Sequence, residues 1–275
     1  VVIPVYNEAA YIEGCIRSLR AQDFGPVEIV VVDDGSSDGT GALAASLGAK
    51  VLDCGHKGPG AARNAGVAAA TGNIVVLADA DMTFAPEYIS RLVAPIIGAG
   101  VIAACHWNER VANWDNPWAR CETWFLGFAD GRREPAVPPE RQCVYRAVRR
   151  DFFLASGGFA ENEGRADDSS IARKTGVFSV LAEDAVCFHN NAAGPADVFS
   201  DARWRGKSIS VERAGRLKKA VLAIFWHHNP VLAFLRGLRL AFVKREPRLP
   251  LYALVFSAGV LTGLLEGFAT GRYQK

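Results

Sequence analysis

The stretch IVVLADADM, residues 74–82, decides how the chain is read. Ile74 to Leu77 is a run of aliphatic and β-branched residues of the kind that forms a buried strand. At its end Asp79 and Asp81 stand one residue apart. Alternate side chains of extended backbone share a side, so both acids can face one ligand. Hard oxygen donors at this spacing suit Mg²⁺ or Mn²⁺, which take one or two carboxylates plus substrate phosphates. By itself the pattern also fits a plain strand running into an acidic turn.

Working outward, strands alternate with helices. Val1–Val5 reads as a first strand, and Asn7 opens the turn into a helix whose Tyr11, Ile12, Cys15, Ile16 and Leu19 recur at helical spacing. Val27–Val32, apolar but for Glu28, reads as a second strand, as a sheet covered on both faces requires. Asp33–Gly41 is a turn with Ser36, Ser37 and Asp38 as candidate caps. A short strand Ala49–Asp53, a glycine-rich loop and a helix Gly60–Ala70 precede the central stretch; a helix from Pro86 to Ile97 and a strand Val101–Ala104 follow it. Such alternation predicts a Rossmann-like, doubly wound α/β sheet, mostly parallel. Ligands of these sheets lie outside the carboxyl ends of the strands. Asn7, Asp33, Asp34, Asp79 and Asp81 all fall there.

VVIPVYNE (1–8), VVVDDGSSDGT (30–40), GPGAARNAG (58–66) and Asp79-Ala80-Asp81 resemble, in order and spacing, the nucleotide-sugar-binding half of the family-2 glycosyltransferases with the GT-A fold. The resemblance is close to about residue 95 and looser to about residue 210. It implies an inverting enzyme in which Asp79 and Asp81 form the metal-binding Asp-x-Asp. It also implies that Asp34, or Asp33 if the register differs by one, accepts from a base N–H. Pro4 and Tyr6 then present backbone and ring to the base, and Glu8 reaches the ribose. Lys57 and Arg63 are the cations near the glycine-rich loop; Arg63 can pair with diphosphate or with a strand-end Asp. GPGAARNAG lacks the Lys-Ser/Thr of a Walker motif.

The second half is read with the same key. Residues 106–140 hold Trp107, Trp114, Trp118 and Trp124, which suit sugar stacking, a membrane interface or simple core packing. The family builds its acceptor site in such an insertion. Gln142–Tyr145 reads as a strand, and Ala155–Phe159 resembles the family's Gly-Gly-Phe turn. Asp167-Asp168 then occupies the place of the Glu-Asp dipeptide whose second acid is the catalytic base, which makes Asp168 the base. Helix capping is the plainer role for these acids. Val177–Leu181 and Ala185–His189 read as a hairpin, and His189 as a possible metal ligand or a solvent-facing side chain. Arg203-Trp204 stands where processive relatives carry Gln-x-x-Arg-Trp, with Ser200 in place of the Gln, which favours transfer of a single sugar.

Charge is divided along the chain. Residues 1–200 carry 17 basic and 25 acidic side chains, and residues 201–275 carry 14 and 4, a net +10. This tail is expected to meet a membrane surface or lipid phosphate, or else to pack on the acidic part. Ala220–Leu235 is apolar around His227-His228-Asn229; Arg236 and Arg239 sit one turn apart on an amphipathic helix. Leu249–Leu265 is uncharged, but its 17 residues rise only about 26 Å as a helix, short of the roughly 20 residues a bilayer needs. A marginal span, an interfacial pair and a packed pair of helices all remain open; Lys244, Arg245 and Arg248 before it and Arg272 and Lys275 after it set no orientation. Six cysteines without metal-like spacing read as reduced cytosolic thiols. A signal peptide is not expected, and because Val1 already lies inside a strand, a short piece is expected ahead of it.

The expectation is an α/β enzyme with a nucleotide-sugar and metal-binding half (1–105), an acceptor and catalytic-base half (106–198) and a basic, apolar helical tail (199–275). Its reaction moves a sugar from a nucleoside-diphosphate sugar, a UDP-sugar first, to a hydroxyl of a glycan or lipid-linked acceptor, with Mn²⁺ or Mg²⁺, at the cytoplasmic face of a membrane. Trp107, Arg203 and Trp204 belong to the expected acceptor region. Nucleic acid is not an expected partner. The alternatives are a polyprenyl-phosphate glycosyltransferase, a nucleotidyltransferase and a non-catalytic membrane scaffold; Tyr6-Asn7-Glu8 in place of a glycine-rich first turn argues against the second.

Overall fold

Val30, Val31 and Val32 are fully buried and form the centre of a parallel sheet, with β2 (Val30–Asp33) between β1 (Val2–Val5) and β3 (Lys50–Asp53). β-Branched residues suit that setting because both faces of the strand are covered. The ladder begins at Val2↔Val30, so β2 starts later than Val27: pairing with β1, and not apolar character, sets its first residue. The computed structural model describes residues 1–161, 164–212 and 229–270; the segment from Ala220 to His228, and Arg272 and Lys275, lie outside them.

Two helices cover the parallel strands as the spacing predicts. α1 (Ile12–Arg20) buries Ile12, Cys15, Ile16 and Leu19, and α2 (Thr40–Ser46) follows the β2 turn. Glycine at position 66 lets α3 (Pro59–Ala69) close on the sheet, since a Cβ there would collide with Val2 and Val32. That approach brings Arg63, one turn earlier, toward the strand ends.

A parallel bridge, Val2↔Leu77, joins this sheet to β4 (Ile74–Val76) of a second one ordered β4-β7-β6-β8-β5. Its other strands are β5 (Met82–Phe84), β6 (Ala103–Val111), β7 (Ala147–Arg149) and β8 (Val180–His189), with α4 (Tyr88–Ala99) between β5 and β6. The pairs β4–β7, β6–β7 and β5–β8 are antiparallel. Together these elements form the α/β GT-A fold with a parallel core.

Three local expectations are corrected. The strand placed at Gln142–Tyr145 lies at Ala147–Arg149, where Ala147 and Val148 are wholly buried; Gln142 makes one isolated bridge to Ser179. The hairpin over residues 177–189 is one ten-residue strand, Val180–His189, because Ala182-Glu183-Asp184-Ala185 holds no glycine and so none of the Asn-Gly or Asp-Gly pairs a two-residue hairpin turn favours. β6 runs to Val111, well past Ala104, and carries His106, Trp107 and Glu109.

The chain divides into two units. The first comprises Val1–Arg110, Val137–Asn162 and Asp167–His189, and includes α6 (Arg150–Ala155) and α7 (Ser170–Thr175). The second comprises Val111–Ala136, Glu163–Ala166 and Asn190–Lys275. It holds α5 (Pro117–Leu126), α8 (Pro195–Glu212), α9 (Pro230–Lys244) and α10 (Leu249–Thr270). Trp114, Trp118 and Trp124 of the tryptophan-rich segment pack in the core of this unit with Phe125, Tyr252 and Phe256. α10 has 22 residues rather than 17 and is the one described helix long and apolar enough to cross a membrane; half of its apolar window is buried in the protein. Gly259 and Gly263 press its backbone onto Phe199 and Arg203 of α8. Arg236, although exposed, donates to the Phe125 carbonyl at 2.7 Å and lies over the Phe125 ring.

Candidate active site

All the acids singled out in the sequence lie in the first unit, in three arrangements. At the ends of β1, β2 and β3, side chains organise loops. Asp34 is buried; its two oxygens accept from the backbone N–H groups of Lys57 (2.6 Å) and Gly58 (2.8 Å) and hold the loop that starts α3. Asp33 accepts from Ser36 N (2.8 Å), and Asn7, with φ 57°, accepts from Ser37 N (2.9 Å). Glu8 N donates to Thr40 Oγ1 at 2.9 Å, tying the β1 loop to the start of α2. Pro4 and Tyr6 are half-buried and Lys57 is exposed. Tyr6 lies 4.7 Å, ring centre to ring centre, from His56, an exposed residue at φ 60° that no sequence motif marked.

The second arrangement centres on Arg63, a buried guanidinium that contacts three carboxylates. Nη2 donates to Asp79 Oδ1 at 3.0 Å; Nη1 lies 2.9 Å from Asp168 Oδ1 and 3.3 Å from Asp167 Oδ2. Pairing with a strand-end Asp, one of the two partners expected for Arg63, is what the structure shows. Asp79 offers its other oxygen to Arg146 Nη1 at 2.8 Å. Burial acts to raise the Asp79 pKa, but Arg146 and Arg63 outweigh it and hold the carboxyl well below its usual range. Arg146 had no motif to mark it: it follows the mislocated strand and sits just before β7.

Asp167 is its opposite. Burial pushes it up to about 8; Arg63 opposes the shift and neighbouring Asp168 adds to it. The protonated form is thereby favoured in the folded chain. Between its unfolded value near 3.9 and about 8, the folded chain binds this proton more tightly than the unfolded one. Stability from this group is present at low pH and declines as pH rises across that window, by at most about 1.4 kcal/mol per unit. Asp167→Asn, which mimics the protonated acid, removes the slope. The difference in thermal midpoint between variant and wild type should shift in favour of Asn from pH 5 to pH 8. A difference that stays constant between those two pH values rejects the protonated assignment.

Removal of Arg63 tests the arrangement as a whole. Breaking a buried pair costs about 3–5 kcal/mol. The lower end applies to Arg63→Leu, because Asp168 is a third exposed and Asp79 keeps Arg146. Urea unfolding should show this loss; a variant within about 1 kcal/mol of wild type would reduce the cluster to a surface-like pairing.

The remaining acid, Asp81, is aligned by sheet register. Met82 pairs with His189 across β5 and β8, which sets His189 beside Asp81. His189 Nε2 lies 2.8 Å from Asp81 Oδ2, and its Nδ1 lies 2.6 Å from Glu109 Oε1 on β6. Glu109 was missed because it falls inside the tryptophan-rich segment, read as an insertion. One carboxylate and one imidazole converge here, on side chains that are 31% and 14% exposed. Oxygen and imidazole nitrogen are donors that Mn²⁺ accepts readily, Mg²⁺ preferring oxygen, so the residues fit a divalent ion. Asp79 has both oxygens turned to arginines.

Trp107 is half-buried on β6 in the first unit. Arg203 and Trp204 lie on α8 in the second, where Arg203 pairs with Glu266 at 2.8 Å.

The chain is 32% identical over 180 residues to the pre-mycofactocin glycosyltransferase of Mycobacterium tuberculosis, covering 62% of this chain and 37% of that protein. It is 33% identical over 167 residues to the undecaprenyl-phosphate 4-deoxy-4-formamido-L-arabinose transferase of Pseudomonas paraeruginosa, covering 56% and 48%. It thus spans less than half the length of either. Among solved structures, the mannosyltransferase PcManGT from Pyrobaculum calidifontis, in complex with GDP-Man and Mn²⁺, aligns with a TM-score of 0.59 and 22% identity over 97% of this chain and 86% of that one. That likeness is one of fold. A sequence model described as Glycosyl transferase family 2 matches residues 1–155. With more than half its length so matched, and with the fold to go with it, the chain belongs to glycosyl transferase family 2.

Proposed function

We propose that the chain is a metal-dependent inverting glycosyltransferase, taking a nucleoside-diphosphate sugar, a UDP-sugar first, and glycosylating a hydroxyl of a glycan or membrane-associated acceptor. One observation carries the reading: Arg63 joins Asp79, at the Asp-x-Asp, to Asp168, the acid in the position of a base.

Asp168 takes the acceptor hydroxyl's proton while that oxygen attacks the anomeric carbon. The bond from that carbon to the diphosphate oxygen breaks, its electron pair leaves with the diphosphate, and the configuration inverts. Arg63 fixes the direction of Asp168, and Asp167, holding its proton, adds no second negative charge beside it. Asp81 and His189 hold the divalent ion, which when bound neutralises the departing diphosphate. Asp79 orients Arg63 and Arg146 rather than sharing the ion. Tyr6, with His56, gives the base a ring surface; Pro4, Glu8, Asp33, Asp34 and Lys57 shape the nucleotide end, and Trp107 belongs to the acceptor side.

The basic tail serves as the contact with the cytoplasmic face of a membrane. Val231, Leu235, Leu238 and Phe242 form an exposed apolar stripe along α9, with Arg239 and Arg245 exposed on the same element or at its end. A second reading, transfer to a polyprenyl phosphate, is favoured by the likeness to the undecaprenyl-phosphate transferase. An acceptor phosphate needs no base, so that reading leaves Asp168 without a chemical task. Incubating the protein with Mn²⁺ and a panel of nucleotide sugars, with and without lipid phosphate or glycan acceptors, separates the two. No turnover of any donor would sink both.

A further inference from the structure

We propose that Glu109, braced by His106 and Tyr88, is the positioning residue that makes His189 a metal ligand. The inference deepens the reading of Asp81 and His189 as a divalent-ion site and rests on it. Four side chains from β8, β6 and α4 form one continuous line behind Asp81. His189 Nδ1 meets Glu109 Oε1 at 2.6 Å, Glu109 Oε2 meets His106 Nε2 at 3.3 Å, and His106 Nδ1 meets the Tyr88 hydroxyl at 2.8 Å. His106 and Tyr88 are almost wholly buried, so the line is anchored in the core.

Donor and acceptor chemistry gives the line a direction. Burial raises the Tyr88 pKa well above its ordinary value, so the phenol keeps its proton and donates to His106 Nδ1. Burial also lowers the His106 pKa, although the Glu109 bond opposes it. A neutral imidazole that accepts at Nδ1 carries its proton on Nε2, and that proton points at Glu109. A carboxylate only accepts. Glu109 therefore accepts from His106 through one oxygen and from His189 Nδ1–H through the other. Nδ1 of His189 is thereby committed as a donor, and Nε2, beside Asp81, is the nitrogen left to bind an ion. Ligating histidines generally have their other ring nitrogen fixed in this way, and loss of the partner weakens metal binding about 10–100-fold.

His106, Glu109 and Cys187 also lie close enough together to hold an ion of their own. Cys187 Sγ lies 3.6 Å from His106 Nδ1, but Tyr88 already engages that nitrogen and Glu109 the other. The arrangement is better explained as a hydrogen-bonded brace.

The test is a titration of the full chain with Mn²⁺ alone, followed by electron paramagnetic resonance of the free ion. Wild type should bind one Mn²⁺ per chain at this site. Glu109→Gln keeps the size of the side chain but can present an N–H₂ to Nδ1, favouring the wrong tautomer. It should weaken Mn²⁺ binding about 10–100-fold with the thermal midpoint nearly unchanged. Turnover should recover toward wild type at high Mn²⁺, a pattern that general loss of structure does not produce. His106→Leu, which removes the brace but leaves Glu109, should cause a smaller weakening. If Asp81→Ala abolishes Mn²⁺ binding while Glu109→Gln binds as wild type, the positioning role is wrong and the metal site stands. If wild type itself binds no Mn²⁺, the site and the inference both fall. Two ions per chain, one lost in Cys187→Ser, would overturn the brace in favour of a buried second site.

Discussion

Asp168→Asn should give a stable protein that binds nucleotide sugar normally and transfers almost nothing. Asn keeps the shape of Asp and can still accept from Arg63 Nη1, now 2.9 Å from Asp168 Oδ1. It cannot take a proton. Loss of a positioned base lowers a rate by about 10²–10⁴, whereas loss of a helix cap with Asn as replacement costs little. The capping alternative is already weakened by local geometry. Asp168 lies in a 3₁₀ turn, Gly164–Ser169, and the residue at the start of α7 is Ser169. Donor affinity should survive because the residues proposed for the nucleotide end lie at the ends of β1 to β3. Turnover and donor affinity, measured on the same preparation, decide the matter. Transfer within a fewfold of wild type would return Asp168 to a structural role, and Asp167→Asn assayed beside it would show whether the other acid is the base.

Much of this site could be read from sequence because strand ends are easy to find. Apolar runs followed at once by Asp locate the carboxyl ends of β2 and β4, and parallel α/β topology then gathers Asp33, Asp34, Asp79 and Asp81. Arg63 was visible as a cation on the helix after the glycine-rich loop. What could not be read is which oxygen faces which partner. Asp34 and Asp79 look equivalent to Asp81 in sequence, yet one closes a loop through two backbone N–H groups and the other orients two arginines. Arg146, His106 and Glu109 escaped for a different reason. They lie on or beside strands whose pairing is antiparallel and distant in sequence, so no local pattern links them to residues 79–81. The tail was ambiguous because apolar content alone does not separate a lipid-facing helix from a packed one. The glycines of α10 do, at least for one face, by pressing its backbone onto α8.

The contrast between the two acids of the Asp-x-Asp makes the sharpest test of the metal assignment. Asp81→Ala should lose Mn²⁺-dependent transfer and retain the fold, while Asp79→Ala should damage the fold itself. Asp81 is 31% exposed, and its partner His189 keeps Glu109 when the carboxylate is gone. No buried charge is stranded by that substitution. Removing Asp79 instead leaves Arg63 its contacts with Asp167 and Asp168 but takes from Arg146, whose side chain is 13% exposed, the carboxylate it pairs with, and breaking such a largely buried pair costs several kcal/mol. On the catalytic side, an ion contributes several kcal/mol of charge stabilisation in the transition state, and about 4 kcal/mol corresponds to roughly a thousandfold in rate. Asp81→Ala should therefore fall at least that far in turnover, unfold in urea near the wild-type midpoint, and fail to bind Mn²⁺. Asp79→Ala should unfold at clearly lower urea. Near wild-type turnover by Asp81→Ala in metal-buffered solution would show that the ion, if one is used, is held elsewhere; equal destabilisation by the two substitutions would show that Asp79 and Asp81 share one structural role.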